Sequence, residues 1–77
     1  MTTDTVARLF EIWCEGDPRR DYTACHLGYG KGHSLREACE DLASRNQYFH
    51  DHYNPYNMTY CGCKVFDNEA AARELWN

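Results

Sequence analysis

The chain is 77 residues long, carries a formal charge of −4 and contains five cysteines, six tyrosines and two tryptophans. This size predicts one small domain, residues 1–77, near the limit at which a single hydrophobic core suffices. The acidic charge argues against direct binding of nucleic acid, which requires a basic stripe facing the phosphates.

Apolar runs are short throughout the sequence. None approaches the ~20 residues of a membrane-spanning helix, and residues 1–10 lack the apolar stretch of a signal peptide. We therefore expect no membrane association and a location in the cytoplasm. In that reducing compartment an odd number of cysteines favours free thiols over a disulfide framework.

Residues 6–30 predict an antiparallel hairpin. The run "VARLFEIWCEG" alternates with period two, since Phe10, Ile12 and Cys14 are separated by charged or aromatic residues. "GDPRRD" has turn chemistry, and "YTACHLGYG" then resumes the alternation. Two such runs joined by a short loop make a hairpin, which would bring Cys14 close to Cys25.

Residues 33–46, "HSLREACEDLASRN", give the clearest helical pattern. Ser34 followed by Glu37 is a capping box, which marks the N-terminus of a helix. The helical pattern ends at Asn46. Apolar residues recur at helical spacing, at Leu35, Ala38, Cys39 and Leu42. The side of the helix that faces solvent carries Arg36, Glu37, Glu40 and Asp41.

The remainder of the chain is less regular. "QYFHDHYNPYN" has no clear period and fits either a helical tail followed by a turn or an ordered aromatic loop. "MTYCGCKVF" alternates again and predicts a third strand with Cys61 and Cys63 on its core face. Asp67 or Asn68 then caps a short last helix. Its narrow apolar edge consists of Ala72, Leu75 and Trp76.

The predicted order is β-β-α-β-α, which belongs to the α+β class. We expect a small, mainly antiparallel three-stranded sheet with the main helix packed on one face. A short C-terminal helix should close an edge or an end of the sheet. The pairing of the third strand stays open at this point, since the connection before it has no defined pattern.

One group of residues suggests a metal site. His50 and His52 precede Cys61 and Cys63, and two imidazoles with two thiolates match the ligand preference of zinc. A C-x-C pair on an extended strand, however, separates its side chains by ~6–7 Å. Core cysteines without a cofactor are therefore the favoured interpretation, and a small zinc-binding structural domain is the alternative.

Catalysis is not expected. Cys25 and His26 are adjacent on a strand and point to opposite faces, so they cannot form a thiolate–imidazole pair. "GYGKGHS" leads from a strand into a helix as a phosphate-binding loop does, but it matches neither nucleotide-binding motif. A strand end and loop needing positive φ explain its glycines more simply. The sequence thus predicts a protein that is not an enzyme.

Three segments resemble a group of short proteins from phages and mobile elements. They are "FEIWCEG", "GKGHSLREACEDLASRN" and "TYCGCKVFDNEAAAR". The pattern of that group runs Y-E-V-W-x-E-G, then S-x-x-E-A-C, then Y-W-G-C-x-L-F-D-N-E-x-x-A-R. The chain departs from it at Cys61, where the pattern has an aromatic residue, which weakens a paired C-x-C metal site. The resemblance implies no activity, but it implies a mobile-element context in which small acidic proteins often block host defences.

These observations lead to one principal hypothesis, a non-catalytic phage-type interaction protein. By the resemblance it would be an anti-defence (anti-CRISPR) inhibitor in the cytoplasm of the bacterial host cell. Its partner would be a host protein or protein–RNA complex with a basic surface, whose nucleic-acid-binding face it covers. Trp13, with Leu9, would mark a docking or homodimer patch. The candidate partner-binding residues are Glu37, Glu40, Asp41, Tyr53, Tyr56 and Trp13.

Overall fold

The computed structural model describes residues 7–74 and contains a five-stranded antiparallel sheet that curls into a half-barrel. The strands are β1 Arg8–Cys14, β2 Cys25–Gly32, β3 Tyr53–Asn54, β4 Thr59–Tyr60 and β5 Cys63–Phe66, in the spatial order β2-β1-β5-β4-β3. The helices are α1 Leu35–Arg45, α2 Gln47–His52 and α3 Glu69–Ala72. The predicted three-stranded sheet with one main helix is wrong.

The β1–β2 hairpin is confirmed and contains a bulge. Ile12 pairs with Gly28 and Trp13 pairs with His26, so Leu27 is the extra residue on β2. The turn between the strands is organised by Asp17, which is buried. Its carboxylate accepts a hydrogen bond from the Arg19 backbone N–H at 3.0 Å. The residues predicted as a turn therefore form one, with a buried carboxylate at its centre.

Helix α1 begins at the predicted cap. The Ser34 Oγ accepts a hydrogen bond from the Glu37 N–H at 3.2 Å, and Ala38, Cys39 and Leu42 are buried. The Glu37 carboxylate accepts from the His33 N–H at 2.7 Å, one residue before the cap. The local signal for this helix was sufficient because capping and apolar periodicity agree.

The glycines of β2 allow α1 to lie directly on the strand backbone. A Cβ atom at Gly30 would lie 1.9 Å from the Ala38 carbonyl oxygen, and one at Gly32 would lie 2.6 Å from the Glu37 Cβ. Of the glycines in β2, Gly28 has a positive φ, at +151°. Positive φ, the explanation given by the sequence, is therefore wrong for Gly30 and Gly32. These two are glycines because the helix leaves no room for a side chain.

The segment predicted as a continuous third strand is a second hairpin. Cys61 and Gly62 both have positive φ, at 52° and 85°, and form the two-residue turn between β4 and β5. This combination is that of the mirror-image turns favoured in tight hairpins. The turn leaves Cys61 exposed while Cys63 is buried. The core position predicted for Cys61 is wrong, and the one predicted for Cys63 is confirmed.

The aromatic segment supplies α2 and β3. Asn46 both ends α1 and caps α2, because its side chain accepts a hydrogen bond from the Phe49 N–H at 3.1 Å. β3 then pairs with β4 through Tyr53 opposite Tyr60. The Phe49 ring stacks between these two tyrosines, with centroid distances of 5.1 and 5.3 Å. The stacked rings join the second hairpin to the core.

The core lies between β1, β5 and the two helices α1 and α2. Its buried members are Phe10, Ile12, Ala38, Cys39, Leu42, Phe49, Tyr53 and Val65. After β5, Asn68 rather than Asp67 caps α3, and its side chain accepts a hydrogen bond from the Ala71 N–H at 2.7 Å. Leu75 and Trp76, predicted as part of the last helix, lie outside the described residues.

Candidate functional site

Two of the predicted acidic residues on α1 are held by neighbouring groups of the same chain. The Glu37 carboxylate binds both the backbone N–H and the ring of His33, at 2.7 and 3.1 Å. These contacts, the backbone hydrogen bond first, hold the pKa of Glu37 below its ordinary value. Glu37 is exposed but its side chain is fixed, so it offers a charge in one defined place.

Asp41 makes structural contacts at the β2 edge of the sheet. Its Oδ2 accepts from the Arg45 guanidinium at 2.7 Å and from the Lys31 N–H at 2.9 Å. Arg45 in turn donates to the Tyr29 carbonyl oxygen at 2.9 Å. β2 is an edge strand, and these contacts occupy backbone groups that would otherwise be open to another strand. Asp41 is therefore bound within the chain, which lowers its pKa, chiefly through Arg45.

Glu40 and the loop that carries Tyr56 border the same surface depression. The cavity holds about 330 Å³ and is bounded by α1, α2 and the loop after β3, with Glu40, His50 and Pro55 on its wall. The Arg36 guanidinium donates to the Pro55 carbonyl oxygen and fastens the loop to α1. Tyr56, the next residue, is 92% exposed. The structure thus brings the exposed face of α1 and the aromatic loop together.

Tyr53 is placed differently from the prediction that it binds a partner. It is 9% exposed and belongs to the core. Its hydroxyl has no hydrogen-bond partner among residues 7–74. Burial, together with the neighbouring Cys39 thiol, raises the pKa of Tyr53 to about 12. Tyr53 supports the floor of the depression, and its ring is not available for docking.

Trp13 lies on the other side of the sheet. Along β1 it alternates with Ile12, which packs in the core, so its ring faces outward. The ring contacts the His26 ring edge-on, with the two centroids 5.1 Å apart. Its Nε1–H donates a hydrogen bond to the Glu11 Oε1 at 2.8 Å. Leu9, four residues earlier on β1, is 66% exposed. A docking role for Trp13 would therefore involve a second surface, separate from Glu40 and Tyr56.

The alternative metal ligands are not assembled. The His52 ring lies 2.8 Å from the Tyr48 carbonyl oxygen, and His50 lies 3.4 Å from the Asp51 carboxylate. Cys61 and Cys63 stand at opposite ends of the turn, one exposed and one buried. Within residues 7–74 no group of three or more His, Cys, Asp or Glu side chains could hold a metal ion. The geometry gives the zinc interpretation no support.

A larger cavity was not expected from the sequence. It holds about 500 Å³ and lies between the start of β2, the first turn of α2 and the β4–β5 turn. Tyr48 and Tyr60 form part of its wall, and Arg20 lies at its rim, 3.4 Å from the Cys61 carbonyl oxygen. The cysteines that line it are Cys14, Cys25, Cys61 and Cys63. This brings together four of the five cysteines in the chain.

Within this cavity Cys14 and Cys25 are in direct contact. Their Sγ atoms lie 3.3 Å apart, and the two residues are register partners on β1 and β2. Burial, together with the Cys25 thiol beside it, raises the pKa of Cys14 to about 12. The hairpin pattern of the sequence predicted that these two cysteines would be neighbours, and this is confirmed. The approach of the other two cysteines was missed, because the Cys61–Gly62 turn was not recognised.

No helix in residues 7–74 has the length and apolar character needed to cross a membrane. No protein-family model, curated protein or solved structure matches the chain. The resemblance to short phage proteins therefore stays a prediction.

Proposed function

We propose that this protein is a non-catalytic interaction protein that binds a basic surface of a protein or protein–RNA complex. The contact would be made by the α1–loop surface, which we define as Glu37, Glu40 and Tyr56. The observation that carries the proposal is the 92% exposure of Tyr56 on a loop fastened beside Glu40. Tyrosine is enriched at interface hot spots, because its ring supplies contact area and its hydroxyl supplies a polar group.

The loop is held in one conformation before any partner binds. The Tyr56 N–H donates to the Asn54 side chain at 2.9 Å, and the Arg36 guanidinium donates to the Pro55 carbonyl oxygen. Thr59 donates to the Asn57 side chain at 2.8 Å at the other end of the loop. Preorganisation lowers the entropy lost on binding. These contacts support a rigid recognition loop.

Charge favours a basic partner. The chain carries a formal charge of −4, and Glu37 and Glu40 are both exposed on α1. Complementary charge at the rim of an interface mainly accelerates association and suppresses wrong partners. Arg36 and Arg45 on the same helix restrict the acidic area, so Tyr56 must supply much of the affinity and Glu40 much of the steering.

The biological role rests on the resemblance to phage and mobile-element proteins. In that context the basic surface would belong to a host defence complex, and the protein would be an anti-CRISPR-type inhibitor in the bacterial cytoplasm. It would cover the surface that otherwise binds nucleic acid, as an acidic competitor. No bond is made or broken in this mechanism.

The test is binding of the full chain to purified CRISPR effector complexes, measured with and without target DNA. We expect Tyr56→Ala to weaken binding by about thirtyfold or more, because truncation of a hot-spot residue costs roughly 2 kcal/mol or more. Glu40→Lys should slow association and reduce its dependence on salt. The matched controls are Tyr48→Ala, an exposed tyrosine on α2, and Glu74→Lys, an exposed acid beyond α3.

Three results would contradict the proposal. If no effector complex retains the intact protein, the anti-defence role is wrong. If binding occurs but Tyr56→Ala and Tyr48→Ala weaken it equally, the α1–loop surface is not the contact. An effect of Trp13→Ala without any effect of Tyr56→Ala would assign binding to the opposite side of the sheet.

A further inference from the structure

The cysteine-lined cavity contains chemistry that a docking role does not use. Cys14 and Cys25 touch through their sulfurs at 3.3 Å, and Cys61 and Cys63 line the same cavity. Burial of one or two thiols needs no explanation, since cysteine is a small apolar residue. A direct pair with one exposed member, at the wall of a cavity of about 500 Å³, is a more specific arrangement.

We propose that Cys14 and Cys25 form a thiol–disulfide exchange site that takes low-molecular-weight disulfides. Oxidation by such a molecule converts the pair into an intramolecular disulfide between β1 and β2. The site is independent of the α1–loop surface and of any partner.

The backbone geometry permits this bond. Cys14 and Cys25 are directly opposed in the antiparallel ladder. Opposed residues have Cα atoms about 4.5 or 5.5 Å apart, depending on the hydrogen-bonding pattern. Disulfides accept Cα separations of roughly 4.4–6.8 Å. Closing the bond therefore needs rotation of the side chains and little movement of the strands.

Exposure decides the order of the two steps. Cys25 is exposed and Cys14 is buried, so an incoming disulfide RSSR reaches Cys25 first. The Cys25 thiol gives its proton to solvent, and its thiolate attacks one sulfur of RSSR. A mixed disulfide Cys25–S–S–R forms, and RS⁻ leaves and takes up a proton. The cavity beside Cys25 provides space for the R group during this step.

Cys14 completes the exchange. Its thiol loses a proton and attacks the Cys25 sulfur, the Cys25–S–S–R bond breaks, and the second RS⁻ leaves and is protonated. In total RSSR is reduced to two RSH while the two protein thiols are oxidised to one disulfide. Burial still raises the pKa of Cys14 in the mixed disulfide, but the further rise caused by the Cys25 thiol is removed. Proximity then favours attack by Cys14 over attack by a thiol from solution.

The nearby side chains suit a small, polar disulfide. Tyr48 and Tyr60 give the cavity apolar surface, and its charged lining residues have both signs: Glu15, Asp21 and Arg20, the last ion-paired with Asp17 at 3.2 Å. In a reducing cytoplasm the pair stays as thiols, and it closes when the ratio of disulfide to thiol rises. Reversible cysteine pairs of this kind are the usual form of cytosolic disulfide.

The experiment uses the full chain, reduced and then equilibrated with oxidised and reduced glutathione at a series of ratios. Intact mass and peptide mapping follow the products. We expect the wild-type chain to lose the mass of two hydrogen atoms and to give a Cys14–Cys25 peptide. Cys14→Ser should instead accumulate a glutathione adduct on Cys25, at least about tenfold more than wild type, because the thiol directly opposite Cys25 is absent.

Cys61→Ser is the matched control, since this exposed cysteine lines the same cavity but is not part of the pair. It should form the Cys14–Cys25 disulfide as wild type does. The wild-type map is decisive even if Cys14→Ser folds poorly. A wild-type chain that keeps all five thiols at every ratio, or a disulfide that maps to another pair, overturns the proposal. So does equal formation of the adduct on Cys25 and Cys61.

Discussion

Replacing Gly30 by alanine should separate α1 from β2. The new methyl group would lie 1.9 Å from the carbonyl oxygen of Ala38 and 2.6 Å from its carbonyl carbon. Both are backbone atoms inside α1, so no side-chain rotation relieves the overlap. Cβ contacts essentially never fall below 3.0 Å, so the helix must recede by more than about 1 Å from a closely packed interface.

The expected loss of stability is large for a domain of this size. Overpacking of a core typically costs about 1–3 kcal/mol, and a receding α1 also loosens Cys39 and Leu42, which are 0% and 4% exposed. Alanine also lowers the conformational entropy of the unfolded chain, and this offsets only ~0.4–1 kcal/mol of the lost stability. We expect the free energy of unfolding to fall by about 3 kcal/mol. At ~4–8 °C per kcal/mol this lowers Tm by roughly 12–24 °C.

Urea denaturation followed by circular dichroism measures this difference, with Gly62→Ala as the control. A methyl group at Gly62 would meet only the Arg20 Nη2, at 3.8 Å, so the change there adds backbone strain at φ +85° without a clash. That strain amounts to about 1–2 kcal/mol. If Gly30→Ala destabilises no more than Gly62→Ala, then α1 does not rest on the backbone of β2, and the reasoning is refuted.

Three further predictions concern side chains. Arg45→Ala uncovers the edge of β2, so we expect self-association that increases with protein concentration in sedimentation velocity; a variant that stays monomeric would show that the edge needs no cover. The folded-state pKa of Asp41 is depressed, so its contribution is present at neutral pH and lost as pH falls below about 4. Asp41→Asn should therefore flatten the acid limb of the stability profile relative to Glu40→Gln, and equal profiles would contradict this. Tyr53→Phe removes a buried hydroxyl that has no hydrogen-bond partner among residues 7–74. It should leave the free energy of unfolding unchanged or raise it by up to ~1 kcal/mol, whereas a loss of more than ~1 kcal/mol would mean that the hydroxyl is bonded.

The first hairpin and α1 could be predicted because their signals are local. Period-two alternation places Phe10 and Ile12 in the core, and the Ser34 cap with its apolar repeat defines α1. Each of these patterns involves residues within a few positions of one another. The contact of Cys14 with Cys25 followed from the hairpin alone, since a short turn fixes which residues oppose each other.

The second hairpin could not be predicted by the same means. Residues 58–66 alternate as a strand does, and the turn at Cys61 requires a positive φ at a residue other than glycine. In a continuous strand Tyr60 and Cys63 would point to opposite faces, whereas the turn makes them register partners. The Cys-Gly dipeptide between two short runs was the available signal, since Gly62 suits such a turn.

The candidate binding residues were also predictable only in part. Tyr56 and Glu40 were predicted by residue type, but the bond from Arg36 to Pro55 is what fastens the loop of Tyr56 to the helix that carries Glu40. Tyr53 was assigned to the same surface and is buried, because its ring stacks on Phe49. Aromatic density in a sequence does not distinguish rings that build a core from rings that meet a partner.

The sequence by itself determined the α+β class, the limits of α1, the β1–β2 hairpin and an acidic surface, because alternation, capping and charge depend on neighbours along the chain. Tertiary structure decided which carboxylates are free, which face of β2 carries the helix, and that Cys61 and Cys63 join Cys14 and Cys25 around one cavity. Those outcomes depend on close approach between segments far apart in sequence. The lack of room for a Cβ at Gly30, which would lie 1.9 Å from the Ala38 carbonyl oxygen, and the 3.3 Å contact between two sulfurs arise only when the chain is packed.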